Sequence, residues 1–188
     1  MLGKLTQCLL LCALLLSGHT LANDFSNFEV KQGKGQFSQA KHFTFLKRAI
    51  KSQGEFVIYE QHVYWHTINP VSSEMLLLPS GIYRRLNTEK AYQTVTKDKQ
   101  LNRLLAKLLS GEIDEHDWKI TAIEQCYKLI PKLDDVALLF AVVELCSADE
   151  NHRRIVITDQ QKNETHISMQ ITSKELTEGD MNAVKLTH

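Results

Sequence analysis

The chain has 188 residues, with 22 Lys and Arg against 22 Asp and Glu and a formal net charge of zero. That balance gives no electrostatic case for nucleic acid or for an anionic membrane surface as a partner. Hydrophobic residues make up 43% of the chain, and no linker, repeat or low-complexity block divides it, so one domain with a real core is expected.

The first 22 residues, MLGKLTQCLLLCALLLSGHTLA, have the layout of a secretory signal peptide. Lys4 precedes an apolar run from Cys8 to Leu16, polar Ser17-Gly18-His19 follow, and small side chains at Thr20 and Ala22 close the segment. The run is too short to span a bilayer as a helix, so cleavage before Asn23 is expected, leaving residues 23–188 as a single exported domain.

The mature chain opens with a polar stretch, NDFSNFEVKQGKGQ, of weak helical character at best. From Gln36 onward the composition is that of β-structure: QFSQAKHFTF, GEFVIY, VYWHTI, EMLLL and GIYRRL. Gly and Asn-Pro signals separate the later members and leave no room for crossover helices, so an antiparallel meander is expected. The pair GEFVIY and VYWHTI is apolar on both faces, whereas a half-buried strand alternates. Next, DKQLNRLLAKLLSGE predicts a helix. It sets Leu101, Leu104, Leu105 and Leu108 on one face, with Asp98 able to cap its start and Gly111 its end.

After the acidic link EIDEHD, strands are expected again at WKITAI, QCYKLIP, AVVELC, RRIVIT and ETHISMQI. KLDDVALLF forms a short helical turn among them, and DQQKN turns the last hairpin. Two cysteines remain in the mature chain, Cys126 and Cys146. An antiparallel register that sets them opposite each other also sets Lys128 opposite Glu144 and Ile130 opposite Val142, as cross-strand packing prefers. A disulfide between neighbouring strands is therefore expected in an exported chain.

Chemistry is thin. The sequence has no nucleophile elbow, phosphate loop or dinucleotide fingerprint. His62 and His66 share a strand face with Tyr64, but no further ligand at metal-binding spacing accompanies them. Asp114, Glu115, His116 and Asp117 read as a solvated loop rather than an acid–base or cation site. Nothing in the residues favours an enzyme, though a hydrolase whose site assembles from distant residues stays open; the expectation is a protein that is not an enzyme, with no catalytic residues, metal or cofactor.

The pieces Phe37-Ser38-Gln39, Gly54-Glu55-Phe56, Tyr64-Trp65 and Asn69-Pro70, following a signal peptide, resemble the amino-terminal half of the periplasmic outer-membrane lipoprotein carriers, the LolA-like family. LIPK, AVVEL and the hairpin IVITDQQKNETHISM fit its second half in order. The resemblance implies an α+β fold: a strongly curved antiparallel sheet, or incomplete β-barrel, with helices covering the concave face. It further implies a periplasmic monomer that shelters the acyl chains of a lipoprotein or other lipid and shuttles them toward the outer membrane. An inner-membrane exporter would act as donor and an outer-membrane protein as acceptor. The cavity lining would be Val57, Tyr59, Val63, Trp65, Leu76 and Leu78, with Leu101, Leu104, Leu105 and Leu108 of a lid helix. Phe56, Ile58 and Tyr64 would then point outward. Tyr59 stands where the best-studied carriers have an Arg, which leaves another acylated or hydrophobic cargo open. A non-transporting lipid-sensing or protein-interaction module of the cell envelope is the alternative.

Overall fold

The computed structural model describes residue 25 and residues 28–86 and 88–186. The expected signal peptide lies outside these residues. In chain order the elements are β1 (Gln32–His42), β2 (Ile50–Tyr59), β3 (His62–Asn69), β4 (Ser73–Leu78), β5 (Gly81–Leu86), β6 (Gln93–Thr96) and α1 (Lys99–Ser110). There follow β7 (Trp118–Ile123), β8 (Cys126–Pro131), α2 (Asp134–Ala137), β9 (Phe140–Ser147), β10 (His152–Asp159), β11 (Glu164–Ser173) and α3 (Glu178–Ala183).

All the strands join one antiparallel sheet in the order β6-β5-β4-β3-β2-β1-β11-β10-β9-β8-β7. Each half is a simple meander, and the first and last strands zip the halves together through pairs such as Phe37↔Met169 and Gln39↔Ile167. The sheet is open, with β6 and β7 as its edges.

Its curvature follows from what α1 reaches. The helix packs on β3, β4 and β5, while the turn after it sits against the carbonyl of Phe28. The Phe28 ring in turn packs on Tyr127 of β8, with ring centroids 5.5 Å apart. In a flat sheet β4 and β8 would lie about 34 Å apart, at about 4.8 Å per strand. A helix of this size is about 18 Å long. Only a curled sheet lets one short helix serve both halves. The edges thereby come within reach of α1 and the loop that follows it.

The register fixes which side chains look into the curl. Phe56 pairs with Trp65 and Ile58 with Val63, and those pairs continue to Met75 and Leu77 on β4. Directly opposed residues share a face, so Phe56, Ile58, Val63 and Trp65 all belong to the inner core cluster. This corrects the sequence reading. Val57 and Tyr59 cannot share a face with Val63 and Trp65, because they pair with Tyr64 and His62 on the outer side. Leu76 pairs with Tyr64, so Leu76 and Leu78 also face outward, whereas Phe56 and Ile58 face inward.

The segment Gln32–Gly35, expected to be polar with weak helical character at best, opens β1. That strand stops at His42, short of the expected Phe45. The edge strand β6 and the terminal α3 were not expected. Helix α3 carries a capping box between Thr177 and Asp180 and lies against the outer face, where Lys34 Nζ meets Asp180 Oδ2 at 2.7 Å. Helices α1 and α2 cover the inner face, the latter through buried Val136. The disulfide joins Cys126 to Cys146, and the ladder runs in the expected register through Lys128↔Glu144 to Leu129↔Val143, but it ends there, so the expected pairing of Ile130 with Val142 does not form.

Candidate functional site

The candidate site is the inner face beneath α1. Its floor is aromatic. The Phe37 ring stacks on Trp65 at 3.8 Å, and the Phe56 ring lies 6.1 Å from Trp65. Gly54 on β2 makes room for this stack, since a Cβ there would collide with the Phe37 ring and the His66 carbonyl. Around the floor stand Ile58 and Val63, both fully buried, with Leu77, Met75 and Ile82 continuing the apolar surface toward β5.

The roof is α1. Asp98 caps its N-terminus by accepting from the backbone N–H groups of Gln100 at 2.9 Å and Leu101 at 3.1 Å. Gly111 ends it in the left-handed region at φ 75°, where glycine is favoured. The expected leucine stripe faces the sheet, but unevenly. Leu104 and Leu108 on one flank are buried, as are Asn102, Ala106 and Ser110 on the other. Leu101, Leu105 and Leu109, which helical geometry places between those flanks, are only half-buried.

The two ends of the roof are held differently. At the C-terminal end Lys107 Nζ lies 3.5 Å from Glu112, 3.7 Å from Asp114 and 3.6 Å from Asp117. The backbone N–H of Val30 also donates to the Ser110 carbonyl at 2.7 Å. The backbone N–H of His116 is the main cause holding the Asp114 carboxyl below its ordinary pKa, with Lys107 assisting. The acidic stretch is thus more than the solvated loop the sequence suggested, because Asp117 is buried at the junction of α1 and β7. At the N-terminal end, by contrast, Asp98, Lys99 and Gln100 are exposed.

Two buried polar groups escaped the sequence reading. Asn102 is 1% exposed, and neither its side-chain oxygen nor its nitrogen has a hydrogen-bond partner within the protein. Arg153 shares the inner face with Met169, and burial pulls its pKa below the ordinary value. The one signal for Asn102 is a polar residue flanking a leucine stripe, which is common on solvated helix faces and so gave no warning.

Of the expected lining, the structure brings together Val63, Trp65, Leu104 and Leu108 in the inner core, with Leu105 packed against it. Leu101 lies half-buried on the same helix. It separates Val57, Tyr59, Leu76 and Leu78, which lie on the outer face. There Tyr64 hydroxyl is pushed up to about 12, by burial first and by Glu74 second. Glu74 itself accepts hydrogen bonds from Arg85 and Tyr92, each at 2.6 Å. Two clefts of about 450 and 540 Å³ are lined mainly by the outer-facing polar side chains of β1, β2 and β11, such as Gln36, Ser38, Gln53 and Ser168. That lining suits water better than an acyl chain.

Among the described residues, no helix is long and apolar enough to cross a membrane. No protein-family model matches the chain, and no curated protein matches it. Among solved structures, the chain is similar to a LolA superfamily protein from Nitrosomonas europaea. The two share 8% sequence identity with a TM-score of 0.46, over 81% of this chain and 90% of that one.

Proposed function

We propose that this protein is a lipid carrier of the bacterial periplasm that takes acyl chains between the inner face of the sheet and α1. The mechanism is reversible partition, with no catalysis and no cofactor. In the structure the apolar floor is covered by the helix leucines, so lipid and helix compete for one surface. Burying acyl chain gains about 0.8 kcal/mol per CH₂, so affinity is easily supplied and release is the harder requirement. The roof has a feature suited to release: when closed it buries the Asn102 amide with no hydrogen-bond partner from the protein. An orphan amide costs about 1–3 kcal/mol, and that cost vanishes when the N-terminal end of α1 lifts and Asn102 meets water. The C-terminal end, tied through Lys107 and the Ser110 carbonyl, serves as the hinge. The orphaned Asn102 is the observation that carries this reading, because a helix that served packing alone would gain from an apolar residue there. Cargo would come from an inner-membrane donor and pass to an outer-membrane acceptor.

The test is mass spectrometry of organic extracts from the purified mature protein, paired with titration of a fluorescent fatty acyl probe. The carrier reading expects stoichiometric acyl lipid or saturable probe uptake. A protein that is empty as purified and takes up no probe overturns it.

A further inference from the structure

The exposed apolar side chains are unevenly distributed over the ends of the sheet. At one end the turns are polar: Glu60-Gln61, Ser80, Glu124-Gln125 and the Asp149–Asn151 loop. At the other end, where β1 runs into β2, Phe45 is 77% exposed and Leu46 and Ile50 are 44% and 53% exposed. The neighbouring β3–β4 turn adds Val71 at 66%, and the segment after α2 adds Leu138 at 73%. The β10–β11 turn links the β1–β2 tip to α2. The Thr44 backbone N–H donates to Asn163 Oδ1 at 3.0 Å, and Gln160 Nε2 donates to the Ala137 carbonyl.

The β1–β2 tip is also one-sided in charge. From Val30 through Gly54 the chain has no acidic residue, while Lys41, Lys47, Arg48 and Lys51 flank the exposed apolar side chains. Lys41 Nζ lies 4.9 Å from the Phe43 ring centroid, and the Phe43 and Phe45 rings are 5.3 Å apart. Among carboxylates at this end of the sheet, Asp159 accepts from Gln161 and Asn163 and also faces the charge of Lys41, and Glu164 accepts from His166, which leaves Lys47, Arg48 and Lys51 as the cations of the tip. The net charge of zero conceals this concentration.

We infer that the β1–β2 tip docks on an anionic phospholipid bilayer, with Phe45, Leu46 and Ile50 entering the interface and Lys47, Arg48 and Lys51 meeting lipid phosphates. Aromatic and aliphatic side chains rimmed by cations match the two forces that hold proteins at such surfaces, apolar burial and attraction to negative headgroups. A water-facing tip would not expose this much apolar surface, and a protein partner would not by itself call for cations without carboxylates. The inference is independent of what occupies the inner face.

Flotation of the mature protein with vesicles tests it, using phosphatidylcholine alone and phosphatidylcholine mixed with phosphatidylglycerol. Binding to the mixed vesicles is expected, falling as salt rises. The double variant Lys47→Gln/Arg48→Gln should weaken it by about fivefold per cation removed, and Phe45→Ser/Leu46→Ser should abolish it. Both variants should keep the wild-type melting temperature and acyl-probe uptake, which separates this result from a failure of the carrier reading. A wild-type chain that ignores both vesicles, as it would if the tip served a protein partner, overturns the inference. So does either variant floating as wild type does.

Discussion

Replacing Asn102 with Leu makes the roof of the site more stable and its function worse. The Asn102 side chain is 1% exposed and both of its polar atoms lack partners. Leaving an amide in that state costs about 1–3 kcal/mol. Leucine has the same number of side-chain heavy atoms but is bulkier, and the repacking it forces takes back part of the gain. The net stabilisation is therefore about 1–2 kcal/mol, which in a chain of this size raises the melting temperature by about 2–8 °C. The gain falls on the closed arrangement alone, since a lifted helix exposes the residue to water. Lifting becomes harder by the same amount, so acyl-probe affinity falls about 5- to 30-fold. Calorimetry and probe titration on the same preparation read both numbers. A variant that melts lower than wild type refutes the account of Asn102. One that melts higher but binds the probe unchanged refutes α1 as a lid.

Three further outcomes are expected. Val63→Thr and Val57→Thr each bury an extra hydroxyl and should each cost about 1–2 kcal/mol, but only the inner-facing Val63→Thr should lower probe affinity; equal loss in both would contradict the assigned faces. The double variant Cys126→Ala/Cys146→Ala opens a loop with a sequence separation of 20 and should lose about 3 kcal/mol in urea unfolding, while unchanged stability would show that the loop is already constrained by the ladder. Asp180 titrates at about 2 instead of 3.8, chiefly through the hydrogen bond from Lys34. Its contribution is therefore complete above about pH 4 and disappears as pH falls through about 2. Lys34→Met should remove about 1 kcal/mol at neutral pH after allowance for solvent screening, and should flatten stability across that acid window; an unaltered acid transition would show that the clamp on α3 contributes nothing.

The parts of the fold legible in sequence were those with a strong local period or a self-checking register. The α1 leucines repeat at helical spacing between Asp98 and Gly111, and both caps form as read. The cysteine register was testable because charge and apolar pairs had to fall into place with it, and Lys128 does pair with Glu144. The faces of β2 and β3 were not legible. Phe56-Val57-Ile58-Tyr59 is apolar at every position, so alternation cannot say which residues turn inward, and only the turn at Glu60-Gln61 sets the pairing. Glu60 adopts φ 54° in that turn, a local detail that fixes Ile58 opposite Val63 and with it every inner residue on both strands. Edge strand β6 was invisible for the opposite reason: four residues with a single exposed Val95 carry no period. The burial of Asn102 was hidden because the inner curve wraps α1 over more than the leucine stripe, and the curvature arises from pairings distant in sequence.

Photo-crosslinking with a diazirine-bearing fatty acid, followed by peptide mapping, tests most directly whether acyl chains enter beneath α1. Adducts are expected on Leu101 and Leu105 of the helix and on Val63 and Trp65 of the floor, and an unlabelled fatty acid should compete them away. Adducts confined to the outer-facing Val57, Tyr64 and Leu76, or none that an unlabelled fatty acid displaces, would contradict the account.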